Sequence, residues 1–199
     1  MIDILVLFHS THGNTLAMAR EVARGVDSVD GCRARLRTVP PVTSAVDPEP
    51  REVDERGPAL VERSDLEECA GMVLGSPTRF GNMAAALKHF LDGTASEWFS
   101  GTLAGKPAGV FTSTATLHGG QEATLLSMMI PLLHHGMILV GLPYTEPELT
   151  TTSSGGTPYG ASHVAGQDAD RAVDDTERRL CRVLGRRVAE TALALKDRR

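Results

Sequence analysis

The sequence ILVLFHSTHGNTLAMAREVARGV, residues 4–26, begins a pattern that repeats along the whole chain. It opens with five consecutive apolar residues, Ile4–Phe8, a run typical of a strand in a parallel sheet, because helices cover both faces of such a sheet. Seven residues that are polar or glycine follow. Apolar residues then recur at helical spacing; these are Leu16, Ala19, Ala23 and Val26. The stretch therefore predicts a strand, a polar loop and an amphipathic helix.

Four later segments also have strand character. Three are nearly continuous apolar runs, namely Met72–Leu74, Ala108–Phe111 and Met137–Val140. The fourth, Cys32–Val39, alternates apolar and charged residues, which indicates a strand with one face towards solvent. Together with the first run, these segments predict five strands.

Helical patterns separate the predicted strands. The pattern of Met83–Asp92 predicts one helix, and that of Gln121–His135 predicts another, which Pro131 should kink or restart. The last helix begins with acidic residues at Asp174 and ends with basic residues at Lys196, an order that complements the helix dipole. We interpret its arginines as a solvated face and not as a nucleic-acid-binding stripe.

Strands that alternate with helices predict a three-layer α/β/α sandwich with right-handed crossovers. Five parallel strands fit the flavodoxin-like order 2-1-3-4-5 better than a TIM barrel, and we expect one domain, residues 1–199. Three inserted segments interrupt the alternation. Pro40–Glu68 is rich in proline and charge and predicts a mobile surface excursion, with a capping box at Ser64–Glu67 before a short helix. Gly93–Lys106 and Gly141–Arg171 are long loops, which are typically functional or in subunit contacts.

The composition excludes several classes of protein. The chain has 20 basic and 25 acidic side chains, a net charge of −5 and 41% hydrophobic residues. This mild acidity argues against nucleic-acid binding, and no apolar run approaches the roughly 20 residues that cross a bilayer. Met1–Phe8 has no basic residue and does not resemble a signal peptide. Three widely spaced cysteines, Cys32, Cys69 and Cys181, indicate reduced thiols in a cytoplasmic protein and no metal site.

The first candidate site is the loop His9–Thr15, between the first strand and the first helix. In an open α/β sheet, ligands bind beyond the carboxyl ends of the strands, where a helix amino terminus offers free N–H groups and a positive dipole end. The loop lacks the Gly-Lys-Ser/Thr sequence of a P-loop. Its neutral hydroxyl and amide donors therefore favour a single monoester phosphate. The alternative is a capped helix start without a ligand.

Two further loops are expected at the same edge of the sheet. Ser76–Met83 carries backbone amides, one cation and an aromatic ring that can pack on a flat heterocycle, and Ser113–Gln121 is rich in hydroxyls and small residues. Most aromatic side chains also fall in predicted loops, which favours a flat aromatic ligand, a subunit interface, or both. These aromatic residues are Phe80, Trp98, Phe99, Tyr144 and Tyr159.

Five motifs of the chain occur in a recognisable order. They are STHGNT at 10–15, SPTRFGNM at 76–83, GGQE at 119–122, HHGM at 134–137 and GGTPYGA at 155–161. Together they resemble the WrbA family, whose members are flavodoxin-like, FMN-dependent NAD(P)H:quinone oxidoreductases. The resemblance extends from Ile4 to about Lys196. The chain departs from the family by having His12 in place of a commoner tyrosine and a less glycine-rich third loop.

The resemblance implies a role for each matching residue. The residues implied to hold the FMN phosphate are Ser10, Thr11, Gly13, Asn14 and Thr15. Those implied to border the isoalloxazine are Thr78, Arg79, Phe80, Gly81 and Asn82. Those implied to cover the ribityl chain and ring are Ser113, Thr114, Ala115, Thr116, Leu117 and Gly119. His134 would be the catalytic donor at the pyrimidine edge of the flavin. His12 would meet the nicotinamide nucleotide, and Trp98 from a neighbouring subunit, with Tyr144, would border the substrate.

The resemblance also implies an activity: two electrons pass from NADH or NADPH through FMN to a quinone. It implies a homotetramer, arranged as a dimer of dimers. An alternative from a different class is a flavodoxin-type one-electron carrier, which has no substrate pocket. Such carriers usually have a strongly acidic surface, whereas the net charge here is a modest −5. The charge and the inserted loops therefore favour the oxidoreductase.

Overall fold

The computed structural model describes residues 1–42 and 57–196. Within these ranges the chain forms six strands: β1 (Ile2–Phe8), β2 (Cys32–Thr38), β3 (Gly71–Pro77), β4 (Pro107–Thr114), β5 (Ile138–Leu139) and β6 (Ala161–Val164). It also forms seven helices: α1 (Asn14–Asp27), α2 (Arg63–Glu68), α3 (Ala85–Asp92), α4 (Ala95–Phe99), α5 (Gln121–His134), α6 (Glu148–Thr151) and α7 (Asp175–Leu195). Residues 43–56, the middle of the predicted excursion, lie outside the described residues.

The sheet confirms the predicted strand order. Its strands run β2-β1-β3-β4-β5, and every pair is parallel. Parallel neighbours need a crossover, and helices supply most of these connections on the two faces of the sheet. The carboxyl ends of β1, β3 and β4 therefore meet at one edge, as the sequence predicted.

The prediction of five strands was wrong by one strand. β6 is also parallel to β4 and pairs with its second half, from Phe111 opposite Ala161 to Thr114 opposite Val164. β5 pairs only with the first half of β4, where Pro107 is opposite Ile138. Two short strands therefore share the last position in the sheet. The segment 141–171, predicted as a loop, contains both α6 and β6, and the segment 93–106 contains α4.

Two apolar cores explain the continuous apolar runs. Alternate residues of β1 enter different cores: Ile4, Val6 and Phe8 pack with α1 and α7, whereas Leu5 and Leu7 pack with α2, α3 and α5. All five side chains are at most 2% exposed. Since side chains alternate between the faces of a strand, only a strand buried on both faces needs such a run.

Helices α1 and α7 pack against each other at two glycines. A Cβ atom added at Gly25 would lie 2.0 Å from the carbonyl oxygen of Arg182, and one at Gly185 would lie 2.1 Å from the carbonyl oxygen of Val22. Neither backbone oxygen can move aside without shifting its helix. These glycines therefore allow the closest approach of the helices that form one layer of the sandwich.

The helix ends partly follow the predictions. Asp174 caps α7 as expected: its carboxylate accepts a hydrogen bond from the N–H of Glu177, whose carboxylate accepts one from the N–H of Asp174, both at 2.9 Å. For α2 the predicted capping box was wrong. The helix begins two residues earlier than that box implies, and the reciprocal pair is Glu62 and Asp65. Pro131 lies inside α5 and does not end it.

Surface charges of the chain are largely paired within it. On β2, Arg33 and Arg35 form ion pairs with Asp3, and Arg37 pairs with Asp65, which explains the alternation of charged residues in this edge strand. Hydrogen bonds from Arg33, more than from Arg35, lower the pKa of Asp3 below its ordinary value. The α7 arginines that pair with carboxylates are Arg178, Arg179, Arg182 and Arg186. Among the described helices, none combines the length and apolar character needed to cross a membrane.

Replacing Gly185 with alanine should destabilise the protein. Helix propensity alone would favour alanine by about 1 kcal/mol. The added methyl group would instead overlap the carbonyl oxygen of Val22 and should lower the free energy of unfolding by about 1–3 kcal/mol. Urea denaturation measures this change, with Ala194→Gly at an exposed position of α7 as the control for propensity. A free energy of unfolding that is unchanged or raised in Gly185→Ala would contradict the close contact.

Candidate functional site

A cavity of about 310 Å³ opens at the carboxyl edge of the sheet, and we call it the cradle. The residues that line it are Ser10, Thr11, His12, Asn14, Thr15, Pro77, Thr78, Arg79, Ser113, Thr114, Ala115, Ala165, Gly166, Gln167 and Ala169. They come from the segments that follow β1, β3, β4 and β6. The structure therefore brings together parts of all three predicted loops and a fourth segment.

The first loop presents unused hydrogen-bond donors to the cradle. Gly13 adopts a φ of +88°, which places its N–H 3.1 Å from the Oγ of Ser10, and the N–H of Leu16 also donates to this oxygen at 3.3 Å. Because that oxygen accepts two bonds, the hydroxyl proton of Ser10 is available to an acceptor in the cradle. The N–H groups of Asn14 and Thr15 make no hydrogen bond within the described parts of the chain. They lie at the positive end of the α1 dipole.

The cradle is not neutral, which corrects the prediction of an uncharged set of donors. The guanidinium group of Arg79 lines it and donates hydrogen bonds to the Oγ1 of Thr11 at 3.0 Å and to the carbonyl oxygen of Thr78 at 2.8 Å. The sequence placed Arg79 in the second loop, but only the fold shows that its side chain reaches the first. A bound anion would therefore meet one full positive charge as well as the helix dipole.

The second loop is a tight turn that directs its aromatic residue outward. Arg79 and Asn82 exchange two backbone hydrogen bonds, of 2.7 and 3.1 Å. Between them Phe80 has a positive φ of 53°, and its side chain is fully exposed. Thr78 anchors the turn through a 2.7 Å hydrogen bond between its hydroxyl and that of Thr124 on α5. Phe80, Gly81 and Asn82 therefore stand beside the cradle and do not line it.

Only the first part of the third loop lines the cradle. Ser113, Thr114 and Ala115 do so, whereas Thr116, Leu117 and Gly119 are not among the lining residues. The hydroxyl of Thr114 donates to the carbonyl oxygen of Thr116 at 2.8 Å, and the N–H of Gly119 donates to the same oxygen at 3.0 Å. This local turn separates the two halves of the loop.

The fourth wall of the cradle is the segment 165–169, which the sequence reasoning missed. The N–H of Ala165 donates to the carbonyl oxygen of Thr114 at 2.7 Å, so the segment continues the pairing of β6 with β4. The side-chain amide of Asn14 donates to the carbonyl oxygen of Ala169 at 2.8 Å, which joins this segment to the first loop. The signal in the sequence was the length of Gly141–Arg171, which indicated a functional loop or a subunit contact but did not single out these residues.

The structure does not bring His134, Trp98 or Tyr144 to the cradle of the same chain. α5 begins at Gln121 beside the third loop and has 14 residues, so His134 at its end lies roughly 20 Å away, towards the opposite edge of the sheet. The indole N–H of Trp98 donates to the carbonyl oxygen of His134 at 2.8 Å. Tyr144 is exposed and lies beyond β5. Only His12 of the residues expected to meet the nicotinamide or the substrate lines the cradle.

Trp98 and His134 instead line a second depression of about 370 Å³, which we call the α3–α5 groove. Its walls include Ile130 and Pro131 of α5, and His135 lies at its end. Burial lowers the pKa of His135, whose Nε2 is 3.0 Å from the hydroxyl of Thr94. The groove is mostly apolar and lacks the convergent donors of the cradle.

An open parallel sheet of this order, with anion-binding donors at the carboxyl end of its first strand, defines a flavodoxin-like nucleotide-binding protein. Residues 2–145 match the sequence profile of the NADPH-dependent FMN reductases, and the chain belongs to this family.

Full-length relatives support the assignment. The chain is 46% identical to an NAD(P)H dehydrogenase (quinone) of Trichlorobacter lovleyi, over 98% of this chain and 99% of that one. It is 43% identical to an enzyme of the same description from Aromatoleum aromaticum, over 96% of each chain.

Solved structures agree on the fold. A WrbA-like flavodoxin protein from Agrobacterium tumefaciens superposes with a TM-score of 0.70 at 24% identity, over 98% of this chain and 99% of that one. A flavodoxin from the domain Archaea superposes with a TM-score of 0.64 at 19% identity, over 96% and 99% of the two chains.

Replacing Arg79 with glutamine should weaken anion binding by the cradle. Inorganic phosphate should raise the melting temperature of the flavin-free protein, and the variant should need about tenfold more phosphate for the same rise, because it loses a charge-assisted hydrogen bond. Differential scanning fluorimetry at constant ionic strength measures this. Arg178→Gln, which removes an arginine on α7, is the matched control. An equal response to phosphate in both variants would show that Arg79 does not serve the cradle.

Proposed function

We propose that this chain is an FMN-dependent oxidoreductase that transfers two electrons from NADH or NADPH to a quinone. The observation that carries the proposal is the cradle, whose donors at the amino terminus of α1 suit a phosphate monoester. Family membership supports FMN as the cofactor. The names of relatives that are 42–46% identical support the quinone as acceptor and the nicotinamide nucleotide as donor.

The donor set fits the phosphate group of FMN. Among the described residues, the hydroxyl proton of Ser10 and the backbone N–H groups of Asn14 and Thr15 have no acceptor, and Arg79 carries a positive charge. A phosphate monoester has three oxygens that accept hydrogen bonds, and these donors converge from different directions. FMN, when bound, supplies the hydride-accepting and two-electron chemistry of the reaction.

Each wall of the cradle has a proposed task. We assign the phosphate to Ser10, Thr11, Gly13, Asn14 and Thr15. In the third loop, Ser113, Thr114 and Ala115 line the cradle and would contact the ribityl chain. Thr116, Leu117 and Gly119 do not line it and would contact the ring only where it extends beyond the cavity. The second loop borders the ring, with contacts from Thr78, Arg79, Phe80, Gly81 and Asn82. The exposed ring of Phe80 offers an apolar face that excludes water from one side of a bound heterocycle.

The residues expected near the substrate require a second chain. Trp98 and His134 lie in the α3–α5 groove, on the far side of α5 from the cradle, and the groove is rimmed by exposed apolar side chains such as that of Ile130. We propose a homotetramer in which the end of α5 from one chain approaches the cradle of another. His134 would then donate a hydrogen bond where negative charge develops, while Tyr144 and Trp98 border the substrate.

We also propose that the chain folds as one domain over residues 1–199 and works in the cytoplasm. All three cysteines are buried and none forms a disulfide within the described residues, and burial raises the pKa of the thiols of Cys32 and Cys181. Such thiols are unreactive and need no oxidising compartment.

The proposed activity predicts a simple optical experiment. Purified protein incubated with FMN and freed of excess should show flavin absorbance in the visible range. NADH or NADPH should bleach this absorbance under anaerobic conditions, and benzoquinone should restore it. A protein that stays colourless contradicts FMN binding. A flavin that is reduced by one electron at a time and never by NADH or NADPH would instead favour a one-electron carrier.

Replacing His134 with alanine should slow reduction of the flavin more than it weakens FMN binding. The imidazole is proposed to stabilise charge during the reaction, whereas the cradle of the same chain holds the phosphate. We expect a rate of anaerobic reduction by NADH about tenfold lower or more, with an FMN dissociation constant changed less than threefold. His89→Ala, at an exposed position of α3, is the control. Equal losses of rate and of affinity would exclude the proposed role.

A further inference from the structure

A fully buried histidine–glutamate pair lies behind the fourth wall of the cradle. His163 on β6 and Glu177 on α7 are both 0% exposed, and the Nδ1 of His163 is 2.7 Å from the Oε2 of Glu177. Burying two ionisable groups is unfavourable unless further hydrogen bonds satisfy them. The residues assigned to the cradle do not include either of them, so the pair needs its own explanation.

The carboxylate of Glu177 accepts hydrogen bonds from three separate stretches of backbone. Its Oε1 accepts hydrogen bonds from the N–H groups of Gly155, at 3.0 Å, and Val164, at 3.1 Å, while its Oε2 accepts one from the N–H of Asp174 at 2.9 Å. Burial raises the pKa of Glu177, but the hydrogen bonds from His163 and the backbone outweigh it and lower this pKa to about 2. The carboxylate is therefore ionised and saturated with donors at neutral pH.

His163 links this carboxylate to the segment 165–171. Its Nε2 is 3.1 Å from the carbonyl oxygen of Arg171. The ring therefore lies between the carboxylate of Glu177 and the carbonyl oxygen of Arg171 and joins the two. The other charged groups beside the pair are Arg171 and Asp174. The guanidinium of Arg171 lies 4.0 Å from Glu177 and bonds the carboxylate of Asp174 at 2.7 Å.

The segment 165–171 is a closed loop that is held at its base. The N–H of Arg171 donates to the carbonyl oxygen of Ala165 at 2.9 Å, and its guanidinium donates to the carbonyl oxygen of Val164 at 3.0 Å. At the tip of the loop, Ala169 has a positive φ of 56°, a conformation that alanine rarely adopts without support from its surroundings. The carbonyl oxygen of this residue accepts the hydrogen bond from Asn14.

Three hydrogen bonds and the backbone of the loop therefore connect the buried pair to the amino terminus of α1. It passes from Glu177 to His163, to the carbonyl oxygen of Arg171, through the closed loop to Ala169, and on to Asn14. The loop presents three small residues, Ala165, Gly166 and Ala169, and the polar Gln167 to the cradle. Its two aspartates are exposed and are not among the lining residues, so they do not face the proposed phosphate site.

We propose that His163 and Glu177 are a positioning pair that holds the segment 165–171 against Asn14 and thereby sets the affinity of the cradle for FMN. This inference rests on the proposed function only in taking FMN as the ligand. Neither residue touches the cradle, and their effect passes through the backbone of the loop. Without the pair, the cradle would keep the donors of its first loop but lose a fixed fourth wall.

The substitution His163→Asn tests this link. The shorter amide can still donate to Glu177 but cannot reach the carbonyl oxygen of Arg171. We expect the FMN dissociation constant, measured by fluorescence titration of the flavin-free protein, to rise about tenfold. Hydrogen exchange of the amides of 165–171 should be faster in the flavin-free variant, and that of the β1 and β3 amides should be unchanged.

Glu21→Gln is the matched control, because Glu21 is a buried carboxylate that pairs with Arg182 between α1 and α7, away from the segment 165–171. It should lower the melting temperature without changing the FMN dissociation constant or exchange in the loop. If His163→Asn does not fold, His163→Gln is the second variant, with the same expectations. An affinity loss of the same size in Glu21→Gln would overturn the proposal, since both losses would then reflect stability alone.

A double-mutant cycle with Asn14→Ala distinguishes a positioning role from a separate effect. The double variant carries both His163→Asn and Asn14→Ala. If the pair acts through the contact between Asn14 and Ala169, its FMN dissociation constant should not exceed the larger of the two single-variant values. If the fold-losses of FMN affinity in the two single variants multiply in the double variant, the proposal is overturned. Wild-type FMN affinity in His163→Asn would also overturn it. Failure of the wild-type protein to bind FMN would overturn the proposed function and this inference together. Wild-type binding that is unaffected by the variants would overturn the inference alone.

Discussion

Burial of β1 on both faces is the constraint on which the site depends. The residues from Ile4 to Phe8 alternate between two apolar cores, so none of their side chains is available to a ligand. In a parallel sheet covered by helices, the backbone turns away from the apolar layers only beyond the strand ends. The polar residues that follow β1, β3, β4 and β6 therefore meet at one edge. The cradle is a direct result of this arrangement.

Local charge at the cradle is opposite in sign to the charge of the whole protein. The chain carries a net charge of −5, yet the cradle combines the guanidinium of Arg79 with the amino terminus of α1. Arg79 lines the cradle, whereas the exposed Asp168 and Asp170 of the neighbouring loop do not. Water and salt screen such exposed charges, with a Debye length of about 8 Å at physiological ionic strength. Several acids are, moreover, paired with arginines, among them Asp3 and Glu21. An anion entering the cradle is therefore attracted despite the acidic composition.

The strand order and the edge that carries the site could be predicted from the sequence, because apolar runs and helical periodicity are local signals. β6 could not be predicted, because its four residues pair with half of a strand that lies about fifty positions earlier. The hydrogen bond from Arg79 to Thr11 depends on the direction of one long side chain, and no spacing rule gives that direction. His134 follows the family pattern, but α5 carries it away from the cradle of its own chain. The order of the main strands and the edge that carries the site were thus predictable, whereas individual side-chain contacts between distant elements were not.

The sharing of the last sheet position by β5 and β6 has a consequence for how this fold can diversify. β5 is hydrogen-bonded to the first half of β4, and β6 to the second half. The pairing of either short strand with β4 therefore does not depend on how many residues connect β5 to β6. Insertions or deletions between residues 143 and 151 can therefore change the outer surface without shifting the register of the sheet or the hydrogen bond from Gly155 to Glu177. Longer surface connections add little entropic penalty. This interval is the natural place to graft a new peptide when the range of accepted substrates is to be altered.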